Sequence, residues 1–215
     1  MTAIGKKSTI NKFRTMKRIF SSFLIIFFIC FSTNSSGEAY SSDPEKFITE
    51  IINEAKSILN SQDTKEVKAE KLSIIALKTV DVKGIGYYTL GKKRKEITLD
   101  QKQKYEVVFE KYFLKSFTSR LTDYSDPKIS VLSAEKVNEK YTIVKSMLLK
   151  TNKRPEVKID WRVYTKDPEK PLIRDLIIEG LSLARTQKEE FASILNSNDG
   201  DINALYEALE KFANN

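Results

Sequence analysis

Three acidic residues in the C-terminal half of the chain could carry out acid-base chemistry. Asp160, Asp175 and Glu179 lie in neighbouring strand-like runs, and two facing carboxyl groups can hydrolyse a glycosidic bond as general acid and as base or nucleophile. Alternatively, they pair with basic residues on the solvated face of a sheet, namely Lys158, Arg162 and Arg174. We favour the structural role, because charged residues on a strand usually belong to its solvated face.

Other common catalytic groups are missing from the composition. The chain contains no histidine and a single cysteine, Cys30, which excludes a Ser-His-Asp triad, a Cys-His pair and a zinc site built on these ligands. Gly84-Ile85-Gly86 resembles the start of a dinucleotide-binding loop, but no strand precedes it and no third glycine follows at the required spacing. This segment is therefore predicted to be a bend or a break in a helix.

Residues 1–39 have the pattern of a secretion signal. Six basic residues precede an apolar run from Ile19 to Phe31, and Gly37 and Ala39 offer small side chains before a predicted cleavage after Ala39. The run of about 13 residues is shorter than the roughly 20 that cross a bilayer as a helix, which disfavours an uncleaved anchor. Ile29 before Cys30 disfavours lipid attachment at that cysteine. The six basic residues are Lys6, Lys7, Lys12, Arg14, Lys17 and Arg18.

The remaining chain, residues 40–215, is predicted to form one domain. Without the signal, 31 Lys and Arg stand against 28 Asp and Glu, so the formal charge falls from +8 to +3. Nucleic-acid binding thereby loses its main support. The run Lys92-Lys93-Arg94-Lys95 could contact anionic lipid headgroups or an acidic partner, or it could be an ordinary solvated surface.

Helical spacing dominates the first half of this domain. Asp43-Pro44 predicts the start of a helix that ends near Asn60, and Asp63-Thr64 predicts the start of a second helix. A loosely helical link from Asp81 to Leu90 follows.

A long helix with a wide apolar face is predicted after a capping box formed by Thr98 and Gln101. Such a stripe is ordinarily core, and by itself it gives little support to a ligand cavity. Its residues are Tyr105, Val108, Phe109, Tyr112, Phe113, Ser116, Phe117 and Leu121.

Period-two spacing after Pro127 predicts four antiparallel strands joined by short turns. In the third strand, Val157, Ile159, Trp161 and Val163 are expected on one face and charged residues on the other. Gly180 is expected to end the sheet, and two helices follow on either side of the turn at residues 198–200. The predicted fold class is α+β, with N-terminal helices, a four-stranded antiparallel curved sheet and C-terminal helices.

Two motifs resemble the toluene-tolerance or MlaC family of periplasmic phospholipid-binding proteins. The first runs from Leu90-Gly91-Lys92 through Ile97-Thr98, Asp100-Gln101, Tyr105 and Phe109 to Tyr124. The second joins Asp160-Trp161-Arg162-Val163-Tyr164 to residues 174–182, which read Arg-Asp-Leu-Ile-Ile-Glu-Gly-Leu-Ser. Leu99 replaces the family's usual proline and Leu181 its usual valine.

The resemblance implies a non-enzymatic carrier that holds phospholipid acyl chains in an apolar cavity between the sheet and the long helix. It implies a periplasmic monomer that needs no cofactor and carries phospholipid as cargo. It also implies two partners, an outer-membrane lipoprotein/porin complex and an inner-membrane ABC transporter with an MCE-domain subunit. The residues expected to contact lipid are Phe109, Tyr112, Phe113, Val131, Ile143, Met147, Trp161, Val163, Leu176, Ile178 and Leu181.

Two other functions are compatible with the same pattern. A ligand-free periplasmic interaction or chaperone module would have a solid core and no bound lipid. A small carboxylate enzyme would direct Asp160 or Glu179 into the cavity.

Overall fold

The structure, a computed structural model, describes residues 39–122, 127–152 and 154–215. The chain divides into two units, Met1–Ala39 and Tyr40–Asn215. Apart from Ala39, the predicted secretion signal lies outside the described residues, as does Tyr124 of the first motif. None of the described helices combines the length and apolarity that crossing a membrane requires.

The first two helices begin where their capping residues predict. Helix α1 is Pro44–Asn60, and the Asp43 carboxylate accepts a hydrogen bond from the Lys46 N–H at 2.9 Å. Helix α2 is Lys65–Thr79, capped by the Thr64 hydroxyl. In both cases the cap satisfies a backbone N–H that has no partner inside the helix.

Helix α3, Val82–Thr89, contains both glycines of the segment that was predicted to bend or break. That prediction is wrong, because the Asp81 carboxylate caps the helix at the Gly84 N–H, at 2.9 Å. A Cβ atom on Gly86 would lie 2.8 Å from the Phe109 ring, and one on Gly84 would overlap the Asp81 carboxylate. The glycines therefore permit close approach rather than a turn.

The long helix, α4, is Leu99–Leu121, and its predicted capping box between Thr98 and Gln101 is confirmed. A short 3-10 turn, Lys93–Lys95, leads into it. Leu99 stands at the first helical position, where the family's usual proline would also fit.

The sheet has five antiparallel strands rather than the predicted four, in the order β1-β2-β3-β4-β5. Gly180 does not end the sheet, because Glu179 and Gly180 form a two-residue turn with positive φ angles of 49° and 82° that returns the chain to β5. Helices α5, Leu183–Asn196, and α6, Ile202–Asn214, complete the predicted α+β order. The strands are β1 Ile129–Asn138, β2 Tyr141–Leu148, β3 Val157–Tyr164, β4 Leu172–Ile178 and β5 Leu181–Ser182.

The strand register determines which residues share a face. Trp161 is opposite Val144 on β2 and Leu176 on β4, so all three side chains project to one face. Ile143 is opposite Arg162, and Met147 is opposite Lys158. The expectation that Ile143 and Met147 share the apolar face with Trp161 is therefore wrong, because side chains alternate along a strand.

The domain buries two apolar clusters. The helical cluster joins α3, α4, α5 and α6 around Tyr105, Phe109, Phe191 and Leu205. The sheet cluster joins α1 and α2 to the apolar face of the sheet, and its buried members are Phe47, Ile48, Ile51, Ile52, Leu59, Leu72, Ile75, Val144, Val163 and Ile173.

A polar junction links the two clusters where α2 gives way to α3. The Asp81 N–H donates to the Ile173 carbonyl of β4 at 2.9 Å, and the Asp81 carboxylate accepts from the Arg174 Nε at 2.6 Å. Arg174 also donates to the Tyr141 hydroxyl at 3.1 Å and stacks 3.6 Å above the centre of the Tyr164 ring. One carboxylate thus caps α3 and attaches it to the sheet.

The junction can be tested with Asp81→Ala. This change removes a helix cap and a charge-assisted hydrogen bond, so we expect the free energy of unfolding to fall by about 2 to 4 kcal/mol. Asp43→Ala is the matched control, because it removes only the cap of α1 and should cost about 1 kcal/mol. Urea denaturation measures the free energy of unfolding of both variants. Equal losses of stability in the two would contradict the role of Asp81 in linking the clusters.

Candidate functional site

A row of aromatic rings runs along α4 from one cluster to the other. Neighbouring ring centres are 5.6 Å apart for Tyr105 and Phe109, 6.2 Å for Phe109 and Phe113, and 6.0 Å for Phe113 and Phe117. Tyr105 and Phe109 are buried, whereas Phe113 and Phe117 are only half-buried. The row is therefore solid core at its N-terminal end and loosely covered at its C-terminal end.

The two tyrosines of α4, Tyr105 and Tyr112, belong to the helical cluster and stay uncharged. Burial raises the pKa of Tyr105, whose hydroxyl is hydrogen-bonded to Thr89 at 2.9 Å. Burial also raises the pKa of Tyr112, and its hydroxyl donates to Gln187 of α5 at 2.5 Å. Desolvation disfavours the phenolate, so neither ring introduces charge into its apolar surroundings.

The sheet offers a half-buried apolar surface at the cluster on which the C-terminal end of α4 also packs. Trp161 is held there by Ser146, whose buried hydroxyl accepts from the indole Nε1 at 2.9 Å and donates to the Ile159 carbonyl at 2.9 Å. Val131 lies across from Ser146 on the same face. Both Val131 and Trp161 pack on the sheet cluster without being enclosed by it.

Phe117 and Leu121 complete this half-buried surface from the side of α4. Both pack against the same sheet cluster as Trp161 and Val131. Both residues were predicted on the apolar face of the helix but were not among those expected to contact lipid. Their spacing of four residues after Phe113 and Phe117 was the signal that could have included them.

The eleven residues predicted to contact lipid do not form one wall. Phe109, Tyr112 and Phe113 pack in the helical cluster, where Tyr112 contacts Phe191 and Phe212, because α4 is long enough to belong to both clusters. Ile143 and Met147 lie on the opposite face of the sheet, and Leu181 in β5 is 59% exposed. The apolar face of the sheet carries the rest of the predicted strand set, which is Val131, Trp161, Val163, Leu176 and Ile178.

Two concavities are found elsewhere on the surface. A groove of about 270 Å³ lies between α3 and α4, and one of about 460 Å³ lies between α4 and α6. Of the predicted lipid-contacting residues, only Phe109 lines either of them. Neither concavity is lined by the half-buried residues Phe117, Leu121, Val131 and Trp161.

Two of the three candidate acids, Asp175 and Glu179, act as structural hydrogen-bond acceptors, and Asp160 lies opposite Lys145 of β2. Asp175 is buried rather than solvated, and it accepts from the Ser182 hydroxyl at 2.6 Å and the Ala184 N–H at 3.0 Å, while Arg162 lies 3.5 Å away. It therefore fastens β4 to the start of α5. Glu179 accepts from the Lys158 N–H at 2.5 Å. The described residues contain no cluster of three or more acidic, histidine or cysteine residues that could hold a metal ion.

The architecture is that of a phospholipid-binding protein of known structure. A phospholipid-binding protein from Ralstonia solanacearum, solved in complex with a phospholipid, superposes with a TM-score of 0.66 at 19% sequence identity. The match covers 82% of this chain and 97% of that protein. No curated protein sequence matches this chain.

The family follows from the sequence profile. The profile of the MlaC protein family matches residues 48–211, which span α1 to α6. The chain therefore belongs to the MlaC family, as the motifs at residues 90–124 and 160–182 indicate.

The hydrogen bond from Trp161 to Ser146 can be tested directly, because Trp161 is the only tryptophan of the chain. Ser146→Ala leaves the indole N–H without its partner, so we expect a loss of about 1 to 2 kcal/mol in stability and a weaker tryptophan band in near-ultraviolet circular dichroism. Ser130→Ala, at an exposed position of β1, should change neither. An unaltered tryptophan band in Ser146→Ala would show that Ser146 does not orient the indole.

Proposed function

We propose that this protein is a periplasmic phospholipid carrier that shuttles glycerophospholipids between transport complexes of the outer and inner membranes. By this exchange it would help to maintain the lipid asymmetry of the outer membrane. Membership of the MlaC family supports the proposal, as does the likeness of the fold to a protein that was solved with phospholipid bound.

The observation that carries the proposal is the half-buried apolar surface at the sheet cluster. Phe117 and Leu121 of α4, and Val131 and Trp161 of the sheet, pack on this common cluster and remain partly exposed. Contiguous apolar surface that is left incompletely covered usually marks a binding site. We infer that acyl chains insert here.

The energetics require nearly complete enclosure of the cargo. Exposing two acyl chains of about 15 methylenes each to water would cost on the order of 24 kcal/mol of free energy, at roughly 0.8 kcal/mol per methylene. Transfer between a bilayer and an apolar cavity exchanges one apolar medium for another, so the carrier itself needs little driving force. Direction would come from the partners.

Binding of a phospholipid would displace side chains that now pack on the sheet cluster. The packing of α1 over Val144 and Val163 buries the centre of the sheet, so the chains would enter beside it, where Trp161 and Phe117 lie. We place the headgroup at the mouth of this opening, and the protein acts as a monomer that docks in turn on the outer-membrane lipoprotein/porin complex and the MCE-domain transporter.

Trp161→Asp tests the assignment. A carboxylate at the entrance should lower the phospholipid that co-purifies with the protein by at least about tenfold, because burying a charge beside acyl chains costs several kcal/mol. Mass spectrometry of organic extracts measures the loss. Leu132→Asp is the matched control, since Leu132 is 57% exposed on β1 and its replacement should leave the lipid content unchanged.

Trp161→Leu separates a folding defect from a binding defect, because it keeps the site apolar and should retain lipid. Unchanged lipid in Trp161→Asp would refute the site. Wild-type protein that carries no phospholipid, even after incubation with phospholipid vesicles, would instead favour an interaction or chaperone module with a solid core.

A further inference from the structure

The turn that precedes α4 carries exposed cations without acidic partners. Lys92, Arg94 and Lys95 are exposed, and none has a carboxylate partner in the part of the chain that the structure describes. Lys93 differs, because its side chain is only 23% exposed and pairs with Glu96 at 3.3 Å. The run therefore divides into one anchored lysine and three cations that are free to meet an external anion.

Apolar and aromatic side chains adjoin these cations. Leu99, four residues after Lys95, is 69% exposed, and Tyr88, four residues before Lys92, is 41% exposed. Lys188 of α5 holds its ammonium group 5.2 Å from the centre of the Tyr88 ring. We call this surface the basic corner; its residues are Tyr88, Lys92, Arg94, Lys95, Leu99 and Lys188.

The basic corner is separate from the proposed lipid site. Leu99 and Phe117 lie 18 residues apart on α4, which is about 27 Å at 1.5 Å per residue. The headgroup of a phospholipid carried between α4 and the sheet would not reach that far. The corner also has no part in either of the two concavities beside α4.

We propose that the basic corner docks this protein on the surface of an anionic bilayer. The cations lie at the level of the headgroup phosphates, and Leu99 and Tyr88 enter the interfacial layer. Positive charge beside exposed apolar and aromatic residues is the combination that binds proteins to such interfaces. An acidic protein partner would account for the charges but would leave Leu99 exposed without a reason.

The test measures the binding of exported protein to sedimenting vesicles at low salt. Wild-type protein should bind vesicles of phosphatidylcholine with about 30% phosphatidylglycerol and not vesicles of phosphatidylcholine alone. The triple variant Lys92→Gln, Arg94→Gln, Lys95→Gln should lower the partition coefficient on the order of 100-fold, because each cation near an anionic surface contributes about 1 kcal/mol. Leu99→Ser should lower it about tenfold while keeping its salt dependence.

The matched control is the triple variant Lys78→Gln, Lys166→Gln, Lys170→Gln, which removes the same charge at exposed positions elsewhere. It should bind the anionic vesicles like wild type. Residues 1–39 are identical in all variants, so any contribution of that segment cancels. The lipid that co-purifies should be unchanged in every variant, which keeps this test independent of the carrier proposal.

Three results would overturn the proposal. They are equal binding of wild-type protein to both vesicle types, equal losses in the two triple variants, and anionic-vesicle binding that survives the change at residues 92, 94 and 95. A different outcome is that wild-type protein does not bind the vesicles but binds an acidic protein, and that the triple variant at residues 92, 94 and 95 loses this binding. In that case the basic corner binds a protein partner.

Discussion

The structure depends on the carboxylate of Asp81, which lies where the helical cluster meets the sheet cluster. It caps α3 at Gly84 and binds Arg174, while the backbone N–H of the same residue bonds to Ile173. The two clusters otherwise meet mainly through α4 and Val80, which contribute to both. A single polar junction therefore sets where α3, and with it the N-terminal end of α4, lies relative to the sheet.

This division of the domain suits a carrier. The helical cluster is rigid because Gly86 lets Phe109 pack against the backbone of α3 and because Tyr105 and Tyr112 are hydrogen-bonded within it. Beyond it, the C-terminal end of α4 packs on the sheet cluster, where Phe117 and Leu121 are only partly covered. Apolar side chains that are held at one end of a helix and loosely covered at the other can yield to a ligand without unfolding the domain.

Buried polar groups of the sheet hold parts of the fold together. Asp175 joins β4 to α5, and Ser146 holds the indole of Trp161. A hydroxyl in an apolar wall is stable there because both its donor and its acceptor capacity are used. The same bond keeps the ring at the edge of the sheet cluster, where we propose that acyl chains bind.

Local signals in the sequence were enough to predict most of the helices, four of the five strands and the order of the fold. Asp43, Thr64 and Thr98 each cap the helix that they predict, and the alternation in β3 separates its apolar and charged faces as expected, because caps and periodicity are properties of a few neighbouring residues. Two short motifs in the sequence likewise indicated the family. The sequence by itself therefore determined most of the helices and strands, the α+β class and the absence of histidine chemistry.

Only the tertiary structure decided which of these apolar residues face each other. The glycines of α3 were predicted to break a helix because the ring that packs against Gly86 belongs to Phe109, which lies in another helix. Ile143 and Met147 were predicted to line the cavity, but the register between β2 and β3 places them on the charged face. That register is set by pairing between strands, which the pattern within one strand does not reveal. Tyr112 faces α5 and α6 because α4 spans two clusters. Periodicity identifies an apolar face, but the partner of that face is set by packing between elements far apart in the chain.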